Sequence, residues 1–247
     1  MKLTGNTIFI TGGGSGIGRA LAEALHQRGN QVIISGRRKS ALEDVLRVNP
    51  GMASIEIDVQ DRDSIQNAAR QLIQDFPRLN VLVNNAGIML PDSADSGQDD
   101  AQLLSTVTTN LVGPIRMTSA LIEHLKAQPS ATIIYNTSVL AFVPMAATSV
   151  YSATKAALHS YVLSQRFRLR NSSVNIIELA PPWVRTDLMN SREAEAAMPL
   201  DEFMQQVMQQ LGTDALEILA GNAPQLRSNP GPKEHAFVND FNASLPF

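Results

Sequence analysis

The chain is predicted to fold as a doubly wound, mostly parallel α/β sheet with helices on both faces, in a single domain. Three observations predict it. Short β-branched runs alternate with stretches of helical periodicity. The run 81–83 is continuously apolar, as a strand covered on both faces is expected to be. The first run passes straight into a glycine cluster and then into a helical pattern. At 247 residues, with 44% hydrophobic and 17% charged, the chain can bury one large core.

Residues 7–11 are the first strand and residues 12–18 the glycine cluster, with a helix from 19. Glycines let the backbone turn sharply and let a pyrophosphate come close. The helix N-terminus then offers free N–H groups and its positive end. Thr11, Gly12, Ser15, Gly16, Ile17 and Gly18 are therefore candidate dinucleotide contacts. A glycine cluster without this strand and helix would more often be a plain turn. The second strand, 31–35, ends before Arg37 and Arg38, and no acidic residue lies between Glu23 and Glu43. A binder of the unphosphorylated dinucleotide usually places an acid about 20 residues past the glycine loop. A guanidinium instead matches a phosphate. NADP(H) is expected over NAD(H), with the 2′-phosphate on Arg37, Arg38 or both; a solvated basic turn is the alternative.

A helix over 40–48 leads to a third strand, 53–57, ending at Asp58 and Val59. A helix over 62–76 leads to a fourth, 81–83, ending at Asn84, Asn85, Ala86 and Gly87. A polar loop over 91–100 precedes a helix reaching about 126. Asn110 and the pair Gly113 and Pro114 lie inside it, so it should kink near Asn110. The fifth strand, 131–137, ends at Ser138. An apolar loop and a helix to about 170 follow, then a sixth strand, 174–179, running into Pro181, Pro182 and Trp183. Ligands in such sheets bind beyond the carboxyl ends of the strands, where these polar segments converge.

Tyr151 and Lys155 share one face of the sixth helix. A nearby ammonium favours the phenolate, so the phenol pKa is expected to fall below its usual value of about 10. A phenol so tuned suits general acid–base work on a carbonyl or alcohol. By itself the pair would far more often be a surface tyrosine and a solvated lysine.

Thr11-Gly12-x-x-x-Gly16-Ile17-Gly18, Asp58-Val59, Asn85-Ala86-Gly87, Asn110, Ser138, Tyr151-x-x-x-Lys155 and Pro181-x-x-Val184-x-Thr186 resemble, in order and spacing, the motifs of the short-chain dehydrogenase/reductase superfamily. The resemblance runs from residue 4 to about 190 and implies a Rossmann-like fold. The tail from Pro230 to Phe237 is similar to a subgroup of oxidoreductases named for the D-alanyl-lipoteichoic acid operon. The resemblance implies that Tyr151 is the general acid/base. Lys155 would hold the nicotinamide ribose and lower the tyrosine pKa. Ser138 would hold the substrate oxygen, and Asn110 a water of a proton relay. Asp58 would meet the adenine end, Asn85 the adenosine ribose, and Val184 and Thr186 the carboxamide. Val59, Ala86, Gly87, Pro181 and Trp183 complete the implied cofactor contacts. Taken singly, Ser138 reads as a turn former, Asn110 as a kink residue and Asp58 as a cap.

Two departures stand out. Pro182 replaces a usual glycine and stiffens the loop over the nicotinamide. The usual C-terminal end is not recognisable, so the tail from about 221 is atypical, with residues 215–219 a candidate short last strand. The implied dimer surface on the helices bearing Asn110 and Tyr151 is kept, with Ala153, Ala157, Ser160 and Ser164 on an outer face small enough for close packing. A homodimer is expected, and a homotetramer if the last strand supports a second interface.

The substrate pocket is expected among Ser138, Leu140, Met145, Tyr151, Trp183 and Met189, under a lid over 188–212. That lid carries Met189, Met198, Met204 and Met208. Methionines adapt to irregular apolar ligands, and ordinary helix core is the alternative for them. Together these features predict an NADP(H)-dependent oxidoreductase acting on an apolar small-molecule carbonyl or alcohol. The rival is a non-catalytic NADP(H)-binding regulator or redox sensor on the same fold; such proteins commonly lose the tyrosine or the lysine. The net charge of -3 gives no reason to expect nucleic acid. No apolar run approaches the roughly 20 residues that span a bilayer. There are no cysteines, and His26, His124, His159 and His235 lack metal-ligand spacing, so no metal is expected. The first residues carry no signal-peptide pattern, and a cytoplasmic protein is expected.

Overall fold

The computed structural model describes residues 1–229 and 231–245; Pro230, within the tail motif above, lies outside the described residues. Strands β1 (Thr7–Thr11), β2 (Gln31–Gly36), β3 (Ala53–Glu56), β4 (Leu79–Asn84), β5 (Ala131–Asn136), β6 (Val174–Ala180) and β7 (Glu217–Leu219) form one sheet. Its order is β3-β2-β1-β4-β5-β6-β7, and every pairing is parallel. Alternate strand residues feed opposite faces, as the two-residue period requires. Ile8 and Ile10 point to one core and Phe9 to the other; Ile34 and Ile33 divide in the same way.

Helices α1 (Gly16–His26) and α2 (Lys39–Val48) cover the first face. The second is covered by α3 (Arg62–Asp75), by the later part of a broken helix, and by α6 (Ser149–Leu169). The broken helix runs as α4 (Asp100–Val107), a π-helical turn (Thr108–Val112) and α5 (Gly113–Lys126). The expected kink is thus a π turn around Asn110, with Pro114 placed in the first turn of α5, where its missing N–H costs nothing.

Helix α7 (Leu200–Leu211) corrects the extent of the expected lid. Its inner face, Phe203, Met204, Val207, Met208 and Leu211, is buried in the first core together with α1. Met204 and Met208 are therefore ordinary helix core, and of α7 itself Glu202 in its first turn borders the cavity described below, together with the segment before the helix. There Met189 and Asn190 both adopt the left-handed conformation, at φ 55° and 52°. The expected last strand is present as β7, parallel to β6 with Glu217 opposite Glu178. The tail then forms α8 (Ala223–Arg227) and α9 (Glu234–Ala243). Two anchors hold it across the loop after β5 and a third ties it to β7. The Asn229 amide donates to Phe142 O at 3.1 Å and the Asn242 amide to Pro144 O at 3.0 Å. Arg227 pairs with both Glu217 oxygens, at 2.9 and 3.0 Å. Among the described residues, no helix is long and apolar enough to cross a membrane.

Candidate active site

The strand order reverses between β1 and β4, and the carboxyl ends of the strands open there into a cavity of about 970 Å³. Its floor is the glycine loop. Gly12 stands at φ +68°, and a Cβ there would lie 2.9 Å from Ala86 Cα. A Cβ on Gly18 would lie 2.3 Å from Gly12 O, backbone that cannot swing aside. Only glycine lets this loop lie against the end of β4. The Thr11 hydroxyl ties the two strand ends by accepting from the Asn85 and Ala86 amides at 3.0 Å each. Ser15 precedes α1 without using its side chain as a cap, leaving the helix N-terminus facing the cavity.

Gly12, Ser15, Gly16, Ile17, Gly18, Arg37, Arg38, Asp58, Val59, Asn85, Ala86 and Gly87 all line this end of the cavity. Pro181, Trp183, Val184 and Thr186 line it from the loop after β6. Thr11 and Asn110 lie just behind the wall, 2% and 0% exposed. Arg37 and Arg38 are solvent-exposed at the end of β2. The Asn85 amide nitrogen donates to Thr11 O and Gly12 O, and its oxygen accepts from Asn136 at 2.8 Å. Its side chain thus buttresses the glycine loop.

At the other end, Tyr151 is 7% exposed and the Ser138 side chain stands beside its phenol. Lys155 is 4% exposed; its Nζ lies 5.4 Å from the Tyr151 ring centroid and donates to Asn136 O at 2.8 Å. The expected fall of the phenol pKa is not what this pocket produces. Burial pushes Tyr151 up to about 12, the neighbouring Ser138 hydroxyl opposing only in part. Burial lowers Lys155 to about 8. Desolvation here outweighs the neighbouring lysine, because losing water penalises both charged forms.

These shifts have a sign that stability must follow. Between about 8 and 10.5 the unfolded lysine holds a proton that the folded one has lost, so this group adds stability as pH rises through that window. Tyr151 acts oppositely, but only above its ordinary value of 10.0. Lys155→Met is therefore expected to lose much of the gain in unfolding free energy between about pH 8 and 10. Denaturant titrations of both proteins at the two pH values check it.

Asn110 is held on both sides by Ile88: Oδ1 accepts from its amide at 2.9 Å, and Nδ2 donates to its carbonyl at 2.8 Å. Behind Ser138, Thr137 donates to the fully buried Glu178 at 2.7 Å, and the His159 Nδ1 lies 2.8 Å from the same carboxylate. Leu140, Met145, Met189 and Met198 line the apolar end. Trp183 is 52% exposed, its indole N–H donating to Ser191 at 2.8 Å. Sequence reasoning missed part of this wall. Leu226, Phe241 and Leu245 of the tail line it, packed near Tyr151, Leu140 and Met145. Asn136 was also missed, though it lies two residues before Ser138.

A dinucleotide is the group these residues suit. Glycines floor a cleft at a helix N-terminus, and two exposed guanidiniums stand at the neighbouring strand end. Ser35 Oγ and Asn136 Oδ1 are buried at the cavity wall with no hydrogen-bond partner among the described residues.

Residues 6–197 match the family described as short chain dehydrogenase. A Bacillus subtilis (strain 168) protein named uncharacterized oxidoreductase DltE is 42% identical over 189 residues, 76% of this chain and 75% of its own. A short chain dehydrogenase from Burkholderia cenocepacia J2315, crystallised in complex with NADP, superposes with a TM-score of 0.86 at 25% identity over 97% of this chain and 98% of its own. A short chain dehydrogenase/reductase from Burkholderia phymatum in complex with NAD shares the fold, with a TM-score of 0.84 at 19% identity over 100% and 99% of the two chains. With its parallel sheet, its glycine-floored cleft and this match over most of its length, the chain belongs to the short-chain dehydrogenase family of oxidoreductases.

Proposed function

We propose that the protein is an NADP(H)-dependent oxidoreductase that interconverts a carbonyl and an alcohol on an apolar small molecule, with Tyr151 as the general acid/base. The observation that carries this reading is the buried Tyr151 phenol beside Ser138 at the apolar end of a cavity whose other end is the glycine loop. The glycine loop and the N-terminus of α1 hold the pyrophosphate, Arg37 and Arg38 the 2′-phosphate, and Lys155, Val184 and Thr186 the nicotinamide end. The bound nicotinamide supplies or accepts the hydride.

The protein's own part is the proton. Ser138 and Tyr151 present two hydroxyls to the substrate oxygen. The phenol, raised to about 12, carries its proton at neutral pH and gives it to the oxygen during reduction. Hydrogen bonds at that oxygen stabilise the charge that develops there. The lowered amine of Lys155 stands close enough to share the proton balance. The side chains of Leu140, Met145, Leu226 and Phe241 favour an apolar ketone or aldehyde.

The test is a screen of carbonyls with NADPH and of alcohols with NADP, followed by the near-ultraviolet absorbance of the reduced nicotinamide. Turnover is expected with apolar carbonyls. Binding of NADPH with no turnover on any compound would favour the regulator instead. The protein is further proposed to act in the cytoplasm as a homodimer. Ala153, Ala157, Ser160 and Ser164 form an exposed small-residue face on α6, beside the exposed Leu163 and Phe167. Light scattering is expected to give twice the 26.7 kDa chain mass, and a monomer would refute it.

A further inference from the structure

Helix α6 begins without help from the residue before it. Thr148 is fully buried, yet its hydroxyl has no hydrogen-bond partner among the described residues. The helix is capped instead by Asp92, from the loop after β4. Its Oδ1 accepts from the Ser149 amide at 2.8 Å and from the Ser149 hydroxyl, and its Oδ2 accepts from the Val150 amide at 2.9 Å. The Asp92 amide donates in turn to Ala147 O at 3.0 Å. The carboxylate satisfies donors that a helix start leaves free and meets the positive end of its dipole. The next residue along the helix is Tyr151.

The same loop is fixed at its other end. Ile88 is bonded to the Asn110 side chain through both its amide and its carbonyl, and Asn110 also donates to Thr154 Oγ1 at 3.3 Å. Residues 88–92 therefore form a strut from the π turn to the first turn of α6. Asp92 itself is not part of the cavity wall.

We propose that Asp92 is a positioning residue: by closing this strut, its carboxylate holds the first turn of α6, and with it the Tyr151 phenol, in register with Ser138 and Asn110. The proposal rests on the carbonyl–alcohol reading for its effect on rate, but its structural arm is independent of that reading. A general acid displaced by a fraction of an ångström loses rate without losing cofactor.

The test uses Asp92→Ala and the milder Asp92→Asn, which keeps one acceptor for the Ser149 amide, with Asp95→Ala as control in the exposed part of the same loop. Amide hydrogen exchange over 149–155 is expected to quicken at least about fivefold in Asp92→Ala. With benzil as carbonyl probe, kcat is expected to fall about 10- to 100-fold while the NADPH dissociation constant stays put, Asp92→Asn falling between wild type and alanine. Asp95→Ala should move neither. Unchanged exchange over 149–155 in both Asp92 variants overturns the strut, and quickened exchange with wild-type kcat overturns the positioning. A wild-type chain that reduces no benzil would count against the carbonyl reading, and the exchange measurement would still decide the strut.

Discussion

Tyr151→Phe is expected to lower turnover by about 10²- to 10⁴-fold, the range that a positioned proton donor contributes, while NADPH binds as before. The substitution removes one oxygen and keeps the ring, which packs with Leu140, Met145 and Ala223. The fold should lose little, on the order of 1 kcal/mol for the loss of one buried hydroxyl. The loss should appear in kcat, because the phenol stabilises charge that develops only as the oxygen reacts. Steady-state kinetics on any carbonyl found in the screen, beside a fluorescence titration of NADPH, measures both halves. A variant that keeps the wild-type rate would remove Tyr151 from the mechanism.

The double substitution Arg37→Ala, Arg38→Ala is expected to weaken NADPH about 100-fold and to change NADH by less than about twofold. Bonds to a charged group contribute about 1.5–3 kcal/mol each, and the exposure of both side chains reduces that. Arg38 immediately precedes α2 and both arginines line the cavity, so the substitution empties one corner without touching the glycine loop. Raising salt should weaken NADPH in the wild type more than in the variant, since the lost contacts are ionic. Equal losses for NADPH and NADH would instead mean that the arginines support the loop and do not read the phosphate.

Much of the nucleotide end was legible because its determinants are local. Gly12 to Gly18 follow a strand and precede a helix within one short stretch, and Arg37 and Arg38 follow the next strand directly. A break near Asn110 was foreseeable from Pro114, since proline removes a donor whose position the chain itself fixes, but its form as a π turn was not. What could not be read depends on distant partners or on depth. Asn242 reaches a carbonyl 98 residues earlier, so nothing near it in sequence announces that α9 closes the cavity. Met204 and Met208 carry the helical spacing that core and lid share, and only their packing with α1 tells which they are. The Tyr151 phenol was expected to fall because its lysine is visible in the sequence, whereas the burial that raises it to about 12 is not. Asp92 looked like one of several acids in a polar loop until its partners 57 and 58 residues on were placed beside it.

The way the tail is held has a consequence for divergence. Asn229 and Asn242 grip main-chain carbonyls of the loop after β5, atoms that every residue type offers. Such a clasp tolerates exchange of the side chains around it. The family match stops at residue 197, while Leu226, Phe241 and Leu245 supply the far wall from beyond it. The wall can therefore be rebuilt piecemeal while the sheet and the glycine loop stay as they are. Two chains alike over the matched span can share a hydride carrier and still accept unlike guests.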